Sequence, residues 1–410
     1  MKYTMNRHTY IILLLFFLAL KIQAQNNTHS PFSMFGIGEI EIRDFGRTTA
    51  MGGVGIGHQS ENFLNRRNPA GLTRIDTLRF IVDVSAALKF SEFFTASKSQ
   101  RTNNFNFKSL AAGVRLTNGW TSSVGLKPVS SIGYNLKVIE NNQDIFFSGS
   151  GGVNSFYWAN AYELFRGFSI GVTTGYMFGN ITHNQAAEAI TERITNNVSN
   201  IHFDFGMQYS YWFENHTNVI VGGIYIPHSN FAIQRSKMVT SSMEIEQNQR
   251  LPDTKSYLPE SYGAGFSVLR NKSVSEWVIA ADYQFSNWSV NPLRQKVMTY
   301  TDSHLYSAGI QFTPNTRRPE RLLQVMRFSL GACYYRSNLK VNGYQLEDYS
   351  LSLGVGLPFS AQFRTVSYVN IAATVGESGT GQRGGISERY ILVSLNLSLI
   401  DRWFAPRQWD

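Results

Sequence analysis

An antiparallel β-barrel that crosses a membrane is the fold the sequence predicts, and two observations predict it. The first is period-two patterning. In Tyr390–Ile400, Ile391, Val393, Leu395, Leu397 and Leu399 alternate with Leu392, Ser394, Asn396 and Ser398. Alternation puts the two sets on opposite faces of a strand. An aliphatic outer face with a small, polar inner face suits a wall between lipid and a lumen. The pattern recurs where Tyr349, Leu351, Leu353, Val355 and Leu357 stand opposite Ser350, Ser352, Gly354 and Gly356. It recurs again where Ile170, Val172, Tyr176 and Phe178 oppose Ser169, Gly171 and Gly175.

The second observation is the N-terminus. Lys2 and Arg7 precede an apolar run, Tyr10–Leu20, and Ala24 offers a small residue before Gln25. This is the pattern of an export signal over residues 1–24. The run is too short for a transmembrane helix, which needs about 20 apolar residues, and no cysteine stands near the cleavage site to take a lipid. An exported strand-rich chain of this kind is expected in the bacterial outer membrane.

Composition agrees. Mean hydropathy is −0.19 over 410 residues, as in a soluble protein, but lumen-facing residues dilute the average in a barrel. The net charge of +9 suits basic rims facing lipopolysaccharide phosphates and the lipid surface better than nucleic acid. Cys333 is the only cysteine, so no intrachain disulfide forms, and it reads as a small strand residue. The eight histidines show no metal-ligand spacing. Gly53–Gly57 lacks the strand and helix that a nucleotide loop requires. No cofactor, metal or enzymatic activity is expected.

Four parts follow: the signal peptide, an N-terminal hatch or plug at 25–78, the barrel at 79–404 and a tail at 405–410. The segment 25–78 is irregular and glycine-rich yet apolar, which suits packing inside a lumen. Strand candidates start near Arg79, Phe105, Trp120, Asp144, Gly167, Ile201, Asn218, Phe231, Leu258, Glu276, His304, Gln324, Tyr349, Arg364 and Tyr390. That is one too many for an even-numbered barrel. About fourteen strands is the expectation, sixteen the alternative, with Phe231–Glu246 and Asp144–Leu164 the weakest. Tight turns fall at Thr117–Gly119 and Arg166-Gly167. Ser97–Asn104, Asn180–Ser199 and Val290–Ser303 read as outward loops, the second holding a short amphipathic helix over Ala186–Ile194. Pro128 within Val124–Gly133 marks a place where ladder bonds are lost. Tyr157-Trp158, Trp212-Phe213, Trp288 and Trp403-Phe404 read as interface girdle.

In the plug, Asn68-Pro69-Ala70-Gly71-Leu72 suits a tight turn in which Pro69 fixes φ and Gly71 tolerates positive φ. Shaping the plug is the first reading of this motif and ligand contact the second. Arg66 and Arg67 offer guanidinium geometry for a carboxylate, or pair with acidic lumen residues. Phe32, Phe35 and Ile37, with Met34, line a greasy pocket or pack the plug on the wall.

These segments resemble a known family. Asn68–Leu72 after a glycine-rich exported N-terminus is similar to the hatch motif of FadL-type long-chain fatty-acid transporters. So are Leu258-Pro259-Glu260-Ser261-Tyr262-Gly263-Ala264-Gly265-Phe266, followed by Asp282-Tyr283 and Trp288-Ser289, and the Arg327–Tyr335 and Tyr349–Leu357 hairpin. Ser30–Gly38 and Asp401–Phe404 resemble members from the Bacteroidetes. The resemblance implies a fourteen-stranded barrel, a small hatch and passive uptake of hydrophobic molecules, with fatty acids foremost, leaving sideways through the wall. A methylene gains about 0.8 kcal/mol on burial, so such a ligand favours a greasy path. PorV-type relatives instead partner the type IX secretion system, which makes secretion subunits the alternative partners. The chain runs past Phe404, so the signal for the barrel-assembly machinery is placed at Tyr390–Phe404.

Overall fold

The computed structural model describes residues 30–402 except 78, 141, 189, 242–245, 273, 291–297, 315–321, 363–364 and 381–384. The signal peptide, Trp403-Phe404 and the 405–410 tail lie outside the described residues. A two-residue strand, β1 (Glu39–Ile40), and three short 3-10 turns, Pro31–Met34, Arg47–Met51 and Pro69–Arg74, belong to the N-terminal segment. Then come β2 (Arg79–Phe94), β3 (Ser99–Arg115), β4 (Trp120–Glu140), β5 (Gln143–Phe165), β6 (Phe168–Ala187) and β7 (Ile190–Trp212). They are followed by β8 (Thr217–Ile226), β9 (Ser229–Ser241), β10 (Glu246–Leu258), β11 (Ser261–Lys272), β12 (Ser275–Ser286) and β13 (Met298–Tyr300). The last are β14 (Ser303–Thr313), β15 (Arg327–Val341), β16 (Tyr344–Gln362), β17 (Thr365–Gly379) and β18 (Ser387–Arg402).

Neighbours pair antiparallel, and β18 closes on β2 along its whole length, Arg402 opposite Arg79 and Ser387 opposite Phe94. The barrel has fourteen strands because three of them are interrupted. β8 and β9 both pair with β7, on its Phe205–Trp212 and Ile190–Val198 stretches. β11 then pairs β8 while β10 pairs β9, and β13 and β14 both pair β15. Two breaks fall at Pro227 and Pro259, residues that cannot donate to a ladder. The candidates at Asn218 and Phe231 are thus one spanning strand, and the surplus disappears.

The faces divide as the alternation predicts. Ile391, Val393 and Leu395 are exposed to the lipid side, while Leu392, Ser394, Asn396 and Ser398 are buried inside. Three expectations are corrected. Asn180–Ser199 is not a loop with an amphipathic helix: β6 and β7 run through it, turning at Glu188 (φ 49). Its β-branched Ile190, Thr191 and Ile194 favour strand, and cross-strand pairing from Ala187–Ile190 inward holds them there. Ser97–Asn104 is mostly the start of β3. Of the girdle residues, Trp158, Trp212 and Phe213 are exposed, but Tyr157 faces the lumen and Trp288 is buried against Tyr300.

The wall is uneven. β4 to β7 hold 20 to 23 residues, and β9 and β10 carry β8 and β11 on to a similar height, whereas β12 holds only 12. About 9–11 suffice to cross the bilayer, so one side stands tall. There is also a seam. β3 and β4 pair only over Leu110–Arg115 and Thr121–Leu126. Beyond them come Pro128 and a register shift before Ser130. Above the seam the N-terminal segment takes the place of β3: Glu39 and Ile40 pair with Ser131 and Ser130. Glu41 N–H bonds Val129 O at 2.9 Å and Ser30 N–H bonds Gly133 O at 2.7 Å.

Candidate functional site

The N-terminal segment lies within the lumen, bonded to inward residues of opposite walls. Its seat is a ring of glycines, one on strand after strand. A Cβ on Gly171 would stand 2.5 Å from Ala70 N, on Gly206 2.1 Å from Asn68 Oδ1 and on Gly222 2.0 Å from Ile56 O. On the other side, a Cβ on Gly265 would meet Asp282 and Gly57, one on Gly309 would meet Met51, and one on Gly331 would meet Met51 and Gly52. At Gly171, Gly222, Gly309 and Gly331 the nearest atoms are backbone of the segment, so a side chain there would push the segment away. Gly52 needs its freedom, turning at φ 73 against Ala332 O.

Asn68–Leu72 forms the turn the sequence predicts. Asn68 Oδ1 accepts from Ala70 N–H at 3.1 Å, and Pro69 opens the 3-10 turn. Asn68 Nδ2 donates to Ile56 O at 2.8 Å and to the wall carbonyls of Met207 at 3.1 Å and Gly223 at 3.3 Å. Gly71 is a glycine for a different reason from the one expected. Its φ is not positive; a Cβ there would sit 2.7 Å from Asn65 Nδ2. Leu72 is buried with Leu64, Ile75, Ile81, Ala111 and Ile400. No residue of Asn68–Leu72 lines either of the two cavities described next.

A first cavity of about 150 Å³ is charged, faced by Glu39, Lys89, Lys108, Asp348, Glu388 and Tyr390. A second, of about 240 Å³, has Arg67, Lys127 and His202 beside apolar Val129, Met177, Ile224, Leu258 and Leu305. Ile40–Arg43 and Phe45 line both and divide them.

The two arginines separate. Arg66 is committed: it pairs with Asp44 at 2.8 Å and donates to Ser109 Oγ and Phe45 O, each at 2.8 Å. Burial pulls its pKa down, but Asp44, with Tyr157 and Asp83, carries it above the ordinary value. Arg67 bonds Ile42 O at 3.0 Å, while its buried Nε and Nη2 have no hydrogen-bond partner among the described residues. Arg43 pairs with Asp348 and donates to Tyr390 Oη at 2.7 Å. Phe32 lines the first cavity and packs edge-on to Phe93. Phe35 joins the same cluster as Phe93 and Leu339, and Ile37 packs on Ile132 and Tyr134; neither lines either of these two cavities.

Sequence reasoning missed the wall's own grip. Asp282 on β12 accepts from Gly55 N–H at 2.6 Å and Ile56 N–H at 2.8 Å through Oδ2, and from Gly57 N–H at 3.4 Å through Oδ1. The signal was present: an acid and a set of glycines at inward positions of otherwise small, neutral faces.

With this geometry in view, the barrel is similar to several solved structures. The Ralstonia pickettii toluene transporter TbuX superposes with a TM-score of 0.61 at 13% identity, covering 91% of this chain and 99% of that one. A Pseudomonas aeruginosa FadL homologue gives 0.59 at 10% identity, 89% and 100% covered. The P. putida toluene transporter TodX gives 0.58 at 12%, with 89% and 100%. No curated protein matches the sequence. A family model described as BamG matches residues 5–410. The chain is an integral outer-membrane barrel of FadL-type fold and belongs to the BamG family.

Proposed function

We propose that this protein passes hydrophobic small molecules across the outer membrane. The N-terminal segment acts as the hatch, and the ligand leaves sideways through the β3–β4 seam into the bilayer. The observation that carries the reading is the seam: the ladder stops at Leu126, and the wall above it is completed by the hatch. Moving the Ile40–Arg43 strip would join the two cavities and free the β4 edge in one step. Barrels with this fold are described as toluene and hydrocarbon channels, which supports the class of cargo. Within it we favour long-chain fatty acids, because Arg67 offers unbonded guanidinium N–H groups next to apolar Met177, Ile224 and Leu258. The test is uptake of a labelled long-chain fatty acid by a deletion strain and its complemented parent. A fall on deletion, restored by the gene, supports transport; uptake unchanged by deletion, in a strain without a paralogue, sinks it.

A second reading is favoured by the family's name, which points to the barrel-assembly machinery, and by the small volume of the two cavities. Here the barrel is a partner in outer-membrane protein assembly or in secretion. Purification in mild detergent separates the two: stoichiometric assembly or secretion subunits favour the partner role, and bare barrel with bound lipid favours transport.

A further inference from the structure

We propose that Asp282 is the latch of the hatch: a positioning residue whose carboxylate decides whether the N-terminal segment stays seated. The inference rests on the reading of that segment as a movable hatch and assigns its release point. Three consecutive backbone N–H groups, those of Gly55, Ile56 and Gly57, converge on this one side chain at 2.6, 2.8 and 3.4 Å. Successive amides pointing into one concavity make a site for an anion, and here the anion is supplied by the wall. The wall is cut to fit. Gly265 lies directly opposite Asp282 in the ladder, and a Cβ on it would fall 2.0 Å from Oδ1. Gly222 follows in the same row and admits Ile56 O.

Other wall contacts with this loop are neutral. Ser267 Oγ donates to Gly57 O at 2.7 Å, and Gln208 Nε2 donates to Ile56 O at 2.7 Å. Of the other wall carboxylates reaching the segment, Asp348 pairs with the Arg43 side chain, while Asp83 takes a single amide, Leu64 N–H at 3.2 Å, and is otherwise held by Ser398. Asp282 is therefore where a full charge meets several hatch amides at once. The nest also adjoins the larger cavity. Gly55 abuts the stem of Arg67, which lines that cavity: a Cβ added to Gly55 would fall 2.7 Å from Arg67 Cβ. A ligand that draws Arg67 outward would loosen Gly55 and so the latch.

The test reads the hatch without any ligand, so it stands apart from the transport assay. In a Cys333→Ala background, Val54→Cys places one thiol on the hatch, at a fully buried position. Its rate of maleimide labelling in the folded barrel, checked by heat-modifiable electrophoretic mobility, measures unseating. Asp282→Asn keeps the shape and removes the charge, and we expect labelling at least ~10-fold faster. Ser267→Ala removes a neutral bond to the same loop, and we expect a change under ~3-fold. Equal rates for Asp282→Asn and its parent overturn the proposal, as does a Ser267→Ala rate matching Asp282→Asn. If Asp282→Asn does not fold, Asp282→Glu retains the charge one methylene out of place, and parent-like labelling with that variant also counts against the latch. Failure of fatty-acid uptake alongside fast labelling in Asp282→Asn would reject the cargo and leave the latch standing.

Discussion

Replacing Gly331 with alanine tests whether the glycine ring is a seat or merely a set of small residues. The added Cβ would lie 2.2 Å from Gly52 N and 2.2 Å from the Met51 carbonyl carbon, with Met51 Cα at 2.6 Å. All three are backbone, so no rotamer can relieve them. Ordinary contact begins near 3.4 Å, so the Met51-Gly52 turn must retreat by roughly 1.2 Å (3.4 − 2.2). Overpacking of this kind costs about 1–3 kcal/mol. If the turn lifts off instead, the burial of Met51 and Val54 is lost at about 1.5–3 kcal/mol each. Either way the seated state weakens by at least ~1 kcal/mol, or roughly five-fold. Amide hydrogen exchange of residues 47–57 in detergent, read by mass spectrometry, should rise by that factor or more while barrel-strand protection is kept. Gly223→Ala is the control, because its Cβ points away from the segment and meets nothing nearer than Met207 Cγ at 3.6 Å. Unchanged exchange in Gly331→Ala would refute the seat, as would an equal rise in Gly223→Ala.

Four further outcomes are expected. Asn68→Ala removes the acceptor for Ala70 N–H and the donor to Ile56 O. Unseating should become easier by about 1–3 kcal/mol, visible as faster exchange over 68–72, and wild-type protection there would contradict it. Arg66→Ala leaves Asp44 buried and uncompensated, both side chains being about 5% exposed, so it should cost about 3–5 kcal/mol of seating. Arg67→Ala should weaken binding of a fatty acid but not of its methyl ester; equal losses for both ligands would remove Arg67 as the head-group contact. Acid should unseat the N-terminal segment. Burial, with Arg47 and Arg327 adding to it, lowers the His58 imidazole to about 3. The unfolded segment then binds more protons below its ordinary value near 6.5, so the stabilisation is full above that pH and falls toward 3, by roughly 1.4 kcal/mol per unit. The pH dependence of the melting temperature should flatten in His58→Phe, and identical slopes in the two proteins would show another group to be responsible.

Which of these features could be seen in the sequence follows from the range of the physics behind them. Period two is a property of neighbouring residues, so Tyr349–Leu357 and Tyr390–Ile400 declare lipid-facing strands without reference to the rest of the chain. The Asn68-Pro69 turn is equally local, with a side chain that bonds its own backbone two residues on. Strand count was not local. Asn218 and Phe231 begin separate runs in the chain, and only pairing of both with β7 makes them one spanning strand. Ala186–Ile194 carries a weak local preference that the β6–β7 ladder overrides. Tyr157 faces inward because register, not aromatic character, sets direction, and Trp288, past the end of β12, is buried by stacking on Tyr300. The need for glycine at 71, 265 and 331 arises from backbone brought close by residues far away in sequence. The same holds for Asp282, which stands 225 to 227 residues from the amides it holds. Sequence alone determined the wall, its membrane and the Asn68-Pro69 turn. Tertiary structure decided what grips the N-terminal segment, because contacts across a lumen leave no period in the chain that makes them.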